Sequence, residues 1–218
     1  MTEQTPSPLR IGIALFPGFQ ALDAFGPLDC LNVLSWTHPL TLSILSSTLS
    51  PISTAIPTIP TSLSQSILPT HTFATAPDLD VLLVPGGLGT RSSSNPAIQE
   101  TISFIRTVYP KLKFLITVCT GSGLAAQAGV LDGRRATTNK MVFEEIRALG
   151  PRVEWVARAR WVVDGNVWTS SGVSAGVDVM LAWIGMVFGE GVAEGIARGL
   201  EYTRCRDGSE DPFAGVYG

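Results

Sequence analysis

The stretch "KFLITVCTGSG", residues 113–123, runs five apolar or β-favouring residues into a cysteine and then turns through Thr120, Gly121, Ser122 and Gly123. A buried strand that stops on a thiol admits two readings. Free cysteine is among the most buried residue types and commonly just packs. A strand-to-helix turn, on the other hand, is the geometry that presents a nucleophile at the C-terminal edge of an α/β sheet. A helix opening at Gly121 would turn its free N–H groups and partial positive charge towards the sulfur, which lowers a thiol's pKa. On that ground Cys119 is expected to be the one thiol of Cys30, Cys119 and Cys205 with a depressed pKa. The turn lacks a glycine two positions before the cysteine, so pattern alone leaves packing and nucleophile both open.

Two further stretches could complete such a site. In "FPGFQALDAFGP" (16–27), Asp23 stands in an otherwise apolar run. It reads as a first-turn helix cap, or as a carboxyl beside a thiol. In the second case desolvation and nearby negative charge would raise its pKa, and it could hydrogen-bond the sulfur and carry a proton. In "VPGGLGTR" (84–91), the pair Gly86-Gly87 before Leu88 lets backbone approach a ligand closely. Its N–H groups, with that of Thr120, could face developing negative charge, or the stretch could be a tight turn only. It has neither the GxGxxG spacing nor the Walker lysine of a phosphate cradle. A cysteine nucleophile often takes a histidine base, but His38 and His71 lie far from the elbow in sequence, so a pairing would need either one to fold back.

These pieces sit in an alternating pattern. Strands are expected at 9–16, 40–47, 79–87 and 113–118, and helices at 21–35, 95–109, 121–129, 139–150, 172–189 and 191–202. Pro27 is tolerated only near a helix start. Asn95-Pro96 is a start signal, and Ile98, Ile102, Ile105 and Val108 have helical spacing. Asp164-Gly165-Asn166 between strand-like runs predicts a hairpin over 161–170. Apolar strands alternating with helices predict an α/β, flavodoxin-like sandwich: a mostly parallel sheet with helices on both faces. The 30–77 region holds no Asp, Glu, Lys or Arg between Cys30 and Pro77. It is too hydrophobic for a solvated linker, and "TAIPTIP" and "SQSILPTHTF" suggest an ordered hairpin insertion with edge prolines. The chain reads as one domain, with residues 1–8 as a flexible tail.

The 218 residues carry 45% hydrophobic and 15% charged side chains, enough to bury a core. A net charge of −3 and no basic cluster argue against a nucleic-acid partner. No apolar run is long enough for a membrane span, and the polar N-terminus has no secretory core. Three widely spaced cysteines suggest neither a disulfide framework nor a zinc site, so a cytoplasmic setting is expected.

The motifs "LFPGFQALDAFGPLD", "ILPTHTFATAPDLDVLLVPGGLGTR", "VCTGSGLAAQAGVLDGRRATTNK", "DGNVWTSSGVSAGVDVML" and "LEYTRCRDGSEDPF" together resemble the ThiJ/PfpI superfamily, of the class I glutamine-amidotransferase-like fold. The resemblance runs from about Leu9 to Phe213. It is greatest to the isonitrile hydratase branch, which has Asp in L-D-x-x-G-P, matched by Asp23, and Cys-Thr-Gly-Ser, matched by 119–122. It implies a cofactor-free lyase that hydrates isonitriles to N-formamides. Cys119 would be the nucleophile, Asp23 the acid/base, and Gly86, Gly87, Leu88 and Thr120 the pocket. It also implies a homodimer acting on a small molecule. Departures are visible: "ATTNK" puts Asn139 and Lys140 where that branch commonly has His-Trp, Asp29 stands where many relatives carry Glu, and Thr120 stands where protease-like relatives have His. The alternatives within the resemblance are glyoxalase or deglycase chemistry on α-oxoaldehydes, or a non-catalytic sensor whose Cys119 oxidises. Some regulators join this fold to a DNA-binding domain, but no helix-turn-helix pattern is read in this chain.

Overall fold

The computed structural model describes residues 8–216 apart from 57 and 93. The expected tail therefore falls, but for Pro8, outside the described residues. In chain order the elements are β1 (Leu9–Ala14), α1 (Ala21–Leu34), β2 (Leu40–Ser46), β3 (Ile52–Ser53), β4 (Ser66–Ile67), β5 (His71–Thr72), β6 (Val81–Val84), α2 (Pro96–Val108), β7 (Phe114–Thr117) and α3 (Gly121–Gln127). There follow β8 (Arg135–Ala136), α4 (Phe143–Leu149), β9 (Glu154–Trp155), β10 (Trp161–Asp164), β11 (Val167–Ser170), α5 (Ala175–Phe188) and α6 (Glu190–Gly199).

Seven strands form the main sheet in the order β10-β11-β7-β6-β1-β2-β5. All neighbours are parallel except the β10–β11 hairpin, in which Asp164 faces Val167 across the Gly165-Asn166 turn. Burial explains the central strands. Val81–Val84 is buried at every position, which suits a strand covered on both faces. Helices α1, α5 and α6 pack together as one layer, and α2, α3 and α4 as the other. Helix α2 starts where Asn95 accepts the Ala97 N–H at 3.0 Å, and its Ile98, Ile102 and Ile105 face the core.

The uncharged region holds an ordered hairpin. β3 and β4 pair antiparallel, Ile52 opposite Ile67, and β5 then joins the main sheet beside β2. Two features differ from expectation. Pro27 lies well inside α1 instead of near its start, so the Asp23 carbonyl has no Pro27 N–H to accept. Packing compensates: Gly26 lets α1 approach α5 so closely that a Cβ there would lie 2.9 Å from Val177 Cγ2, and Pro27 itself lies against Gly176 of α5. The second is the small parallel pair β8–β9, with Arg135 opposite Glu154, which has no signal in the hydrophobic pattern.

The C-terminal segment is tied down by buried charge. Asp178 on α5 receives Arg160 Nε at 2.9 Å, the Tyr202 hydroxyl at 3.1 Å and the Cys205 N–H at 2.8 Å. Removing one side of a buried, hydrogen-bonded pair strands the other charge, at a cost of about 3–5 kcal/mol. We predict that Asp178→Ala lowers unfolding stability in urea by that amount; a loss below about 1 kcal/mol would show that the network is not what anchors this segment.

Candidate active site

The C-terminal ends of β1, β6 and β7 bring the three stretches together, since β6 pairs with both other strands. After β7, Val118 still donates to the Val84 carbonyl at 3.0 Å, and Cys119 then takes φ +57° before α3 begins. A left-handed non-glycine residue is uncommon and is held by its surroundings. Here the Cys119 N–H donates to Ser171 O at 3.1 Å. The Cys119 carbonyl accepts from the Ser122 and Thr138 hydroxyls, each at 3.0 Å. The elbow expected from the sequence is thus formed.

Asp23, in the first turn of α1, reaches the same place. Its Oδ2 accepts the Gly86 N–H at 2.9 Å, and the side chain is buried. Oδ1 is also buried and has no hydrogen-bond partner among the described residues, while the Cys119 thiol acts on the Asp23 carboxyl. Gly86 must be glycine for this approach: an added Cβ would lie 2.5 Å from Thr120 N and 2.9 Å from Asp23 Oδ2. The Gly87 N–H donates to Thr120 Oγ1 at 3.0 Å, and Thr90 Oγ1 bonds the same oxygen at 3.0 Å. The N–H groups of Gly86 and Gly87 are therefore engaged within the protein, while Leu88 beyond them is exposed.

Three N–H groups converge on the Cys119 sulfur. Asn139 Nδ2 lies 3.1 Å from Sγ, and the backbone N–H groups of Thr120 and Val173 also act on it. Val173 has φ +42°, a strained value for a β-branched residue. Asn139 is fixed from its other end, since Oδ1 accepts the Met141 N–H at 2.9 Å. Sequence reasoning did not place Asn139 or Val173 at the sulfur. The departure from His-Trp at 139–140 was the available signal for the first; nothing in the sequence pattern marked the second. Neither histidine folds back. His38 packs edge-on against Phe188 with its Nδ1 on Thr37, and His71 bonds Thr70 at the sheet edge.

Electrostatics correct one expectation. The Cys119 thiol is not depressed but pushed up to about 12, first by burial and then by the neighbouring Asp23 charge; the three N–H groups act against this but do not overcome it. Cys30 is likewise pushed up to about 12, by burial and by Asp29. The expected rise at Asp23 does occur. Burial lifts its carboxyl to about 7, against the Gly86 N–H and the Cys119 thiol.

A carboxyl raised in the folded state stabilises fully below its unfolded pKa and loses that contribution as pH rises through the folded one. For Asp23 the window runs from 3.8 to about 7. That displacement is worth on the order of 4 kcal/mol. We predict that Asp23→Asn gains stability relative to the wild type across pH 4–7 and runs parallel to it above that. Urea unfolding of both proteins at unit pH steps reads this, and a constant difference across the range would refute the raised carboxyl.

Isonitrile hydratase of Pseudomonas putida is 34% identical over 195 residues, 89% of this chain and 79% of that protein. A deglycase of Pyrococcus horikoshii is 34% identical over 108 residues, 49% of this chain and 59% of its own length. The crystal structure of a ThiJ/PfpI family protein from Pseudomonas syringae superposes with a TM-score of 0.76 at 29% identity, covering 91% of this chain and 76% of that one. The sequence model of the DJ-1/PfpI family matches residues 9–186, and this chain belongs to that family.

Proposed function

We propose that this protein hydrates isonitriles, R–N≡C, to N-formamides, with Cys119 as nucleophile and Asp23 as acid/base. The observation that carries the reading is the buried thiol–carboxyl pair, joined by Asn139 on the sulfur and lacking any histidine. The similarity to isonitrile hydratase supports it.

The raised pKa values fit a reaction in which no bare thiolate accumulates. The Asp23 carboxylate takes the thiol proton as sulfur attacks the terminal isonitrile carbon. Asp23 then delivers that proton to the same carbon, giving the thioimidate R–N=CH–S–Cys119. Water, oriented by the Asp23 carboxylate, adds across C=N, with hydroxyl to carbon and a proton to nitrogen. The C–S bond breaks, the thiol regains its proton and R–NH–CHO leaves. Asn139 Nδ2–H and the N–H groups of Thr120 and Val173 stabilise negative charge on sulfur in both sulfur steps. Gly86 and Gly87 hold the Asp23 carboxylate and the Thr120 side chain in register. No metal or organic cofactor is required, and the proposed enzyme is a single domain that acts as a homodimer. The deglycase relative favours a second reading, attack of the same thiol on an α-oxoaldehyde.

Turnover of an aryl isonitrile against methylglyoxal separates the two readings: hydration of the first with no consumption of the second is expected, and the reverse would establish the alternative. Because Asp23 must be ionised to accept the thiol proton, kcat/KM should rise tenfold per pH unit below about 7 and level off above it. Asp23→Asn should lower kcat/KM by about 10²–10⁴ and abolish that limb, whereas a cap alone would be replaced by Asn nearly without loss. Asn139→Leu should cost about tenfold or more in kcat, from loss of one donor to developing charge.

A further inference from the structure

Lys140 carries a buried charge one residue from the amide that meets the sulfur. Its side chain is 5% exposed, and a lysine is almost never so buried unless it is paired. All three ammonium donors are used. Nζ donates to Thr137 Oγ1 and the Ala159 carbonyl, each at 2.7 Å, and to the Thr138 carbonyl at 3.3 Å. The side chain thus folds back over its own backbone and closes a ring that contains the Asn139 main chain. Thr137 is fixed in turn: its N–H donates to Thr169 Oγ1 of β11 and its hydroxyl to the Val156 carbonyl, both at 2.8 Å.

This ring bears on both ends of Cys119. Thr138 Oγ1 donates to the Cys119 carbonyl at 3.0 Å, and Asn139 Nδ2 lies 3.1 Å from Sγ. The charge that faces the ammonium comes from the C-terminal segment. Asp211 Oδ2, buried and without a hydrogen-bond partner among the described residues, lies 3.7 Å from Nζ. Arg160 Nη1 is 3.8 Å from Asp211 Oδ1, but its guanidinium is committed to Asp178 of α5 at 2.8 Å. Lys140 is therefore the cation that balances Asp211. Glu144 and Glu145 of α4 line a cavity with Lys140 but pair with Arg147 at 3.2 Å and Arg91 at 3.5 Å.

We propose that the Lys140 ammonium is a positioning residue for the Cys119 sulfur: by closing this ring it holds the Asn139 amide on Sγ, and its deprotonation releases that hold. The inference rests on the isonitrile reading only for the reaction whose rate is followed. Burial brings the ammonium down to about 8, against the attraction of Asp211 and aided by the repulsion of Arg160. A neutral amine has two N–H donors and no charge to set against Asp211. Its hydrogen bonds are about half as strong as those of the ammonium, and the long bond to Thr138 is given up first. Because the folded pKa lies below the unfolded 10.5, the stability contribution of this group is full above 10.5 and is lost as pH falls through about 8. Loss of the proton therefore does not unfold the protein; it changes the placement of the amide.

The test follows two rates that fail separately. The first, alkylation of Cys119 by iodoacetamide at pH 7 mapped by peptide, needs no isonitrile. Lys140→Met alone would strand the Asp211 charge, so the variant is Lys140→Met/Asp211→Asn, which removes both charges and keeps the oxygen that accepts the Phe213 N–H. It should slow Cys119 alkylation about tenfold, as Asn139→Leu should, and leave Cys205 unchanged. Added to Asn139→Leu, the same pair of changes should cost less than about a further twofold. An unchanged or faster Cys119 rate, or full additivity with Asn139→Leu, overturns the proposal whatever the protein turns over. The second rate is turnover of an aryl isonitrile from pH 6 to pH 10. The level stretch above the Asp23 limb should end in a roughly tenfold fall of kcat centred near pH 8, with KM steady and no loss of urea stability. In Asp211→Asn the fall should move down by about one pH unit, and in the pair variant it should vanish. A profile level to pH 10, or a fall that stays in place in Asp211→Asn, would also overturn the role. Absence of turnover with any isonitrile, alongside the expected alkylation rates, would remove the hydratase reading and leave Lys140 as the residue that places the amide.

Discussion

The contact on which the site depends is the hydrogen bond from Gly86 N–H to Asp23 Oδ2, made at a position that admits no Cβ. It joins the start of α1 to the loop after β6, where the Asp23 carboxyl is buried and loses its bulk hydration. The bond also faces the Cys119–Thr120 turn, so three segments distant in sequence are pressed against one glycine. This is the only hydrogen bond to the carboxylate from a backbone N–H among the described residues; burial outweighs it, and the pKa of Asp23 rises to about 7. The elbow expected from the sequence would have given a more acidic thiol; the depth of the site reverses that direction for Cys119, and the mechanism proposed above has the proton pass between this thiol and the Asp23 carboxyl.

The parts of the molecule legible in the sequence are those governed by local rules. Val81–Val84 reads as a doubly covered strand because every residue is apolar, and Asn95-Pro96 reads as a helix start because both residues serve the first turn. The 161–170 hairpin follows from its turn residues. Asp23 and Cys119 could be nominated because each breaks the character of its own segment. Other parts were not legible. Pro27 argues for an early helix position on local grounds, but contact with α5 holds it inside α1. Asn139 and Val173 reach the sulfur only through tertiary placement, from two separate loops, and no spacing rule encodes such a meeting.

The charged residues divide in a similar way. Arg10 with Asp80 lies at the surface edge of β1 and β6 and is a partly solvated pair. Arg160, Asp178, Lys140 and Asp211 are nearly free of solvent. Their cost in desolvation is met by hydrogen bonds from several elements. What this arrangement secures is orientation: α5, the segment after α6, and the loop bearing Asn139 are all referred to one set of buried atoms.

Gly172 faces Asn139 across this arrangement. A Cβ there would lie 2.6 Å from Asn139 Nδ2, the atom that meets the sulfur. In genetic terms the two positions form an epistatic pair. Any side chain at 172 displaces the amide at 139, so its effect on the thiol is already spent in a background where 139 has lost its amide. Drift at one position is therefore constrained by the state of the other, and a path that exchanges Asn139 for a larger or differently shaped donor must pass through a chain that keeps glycine at 172.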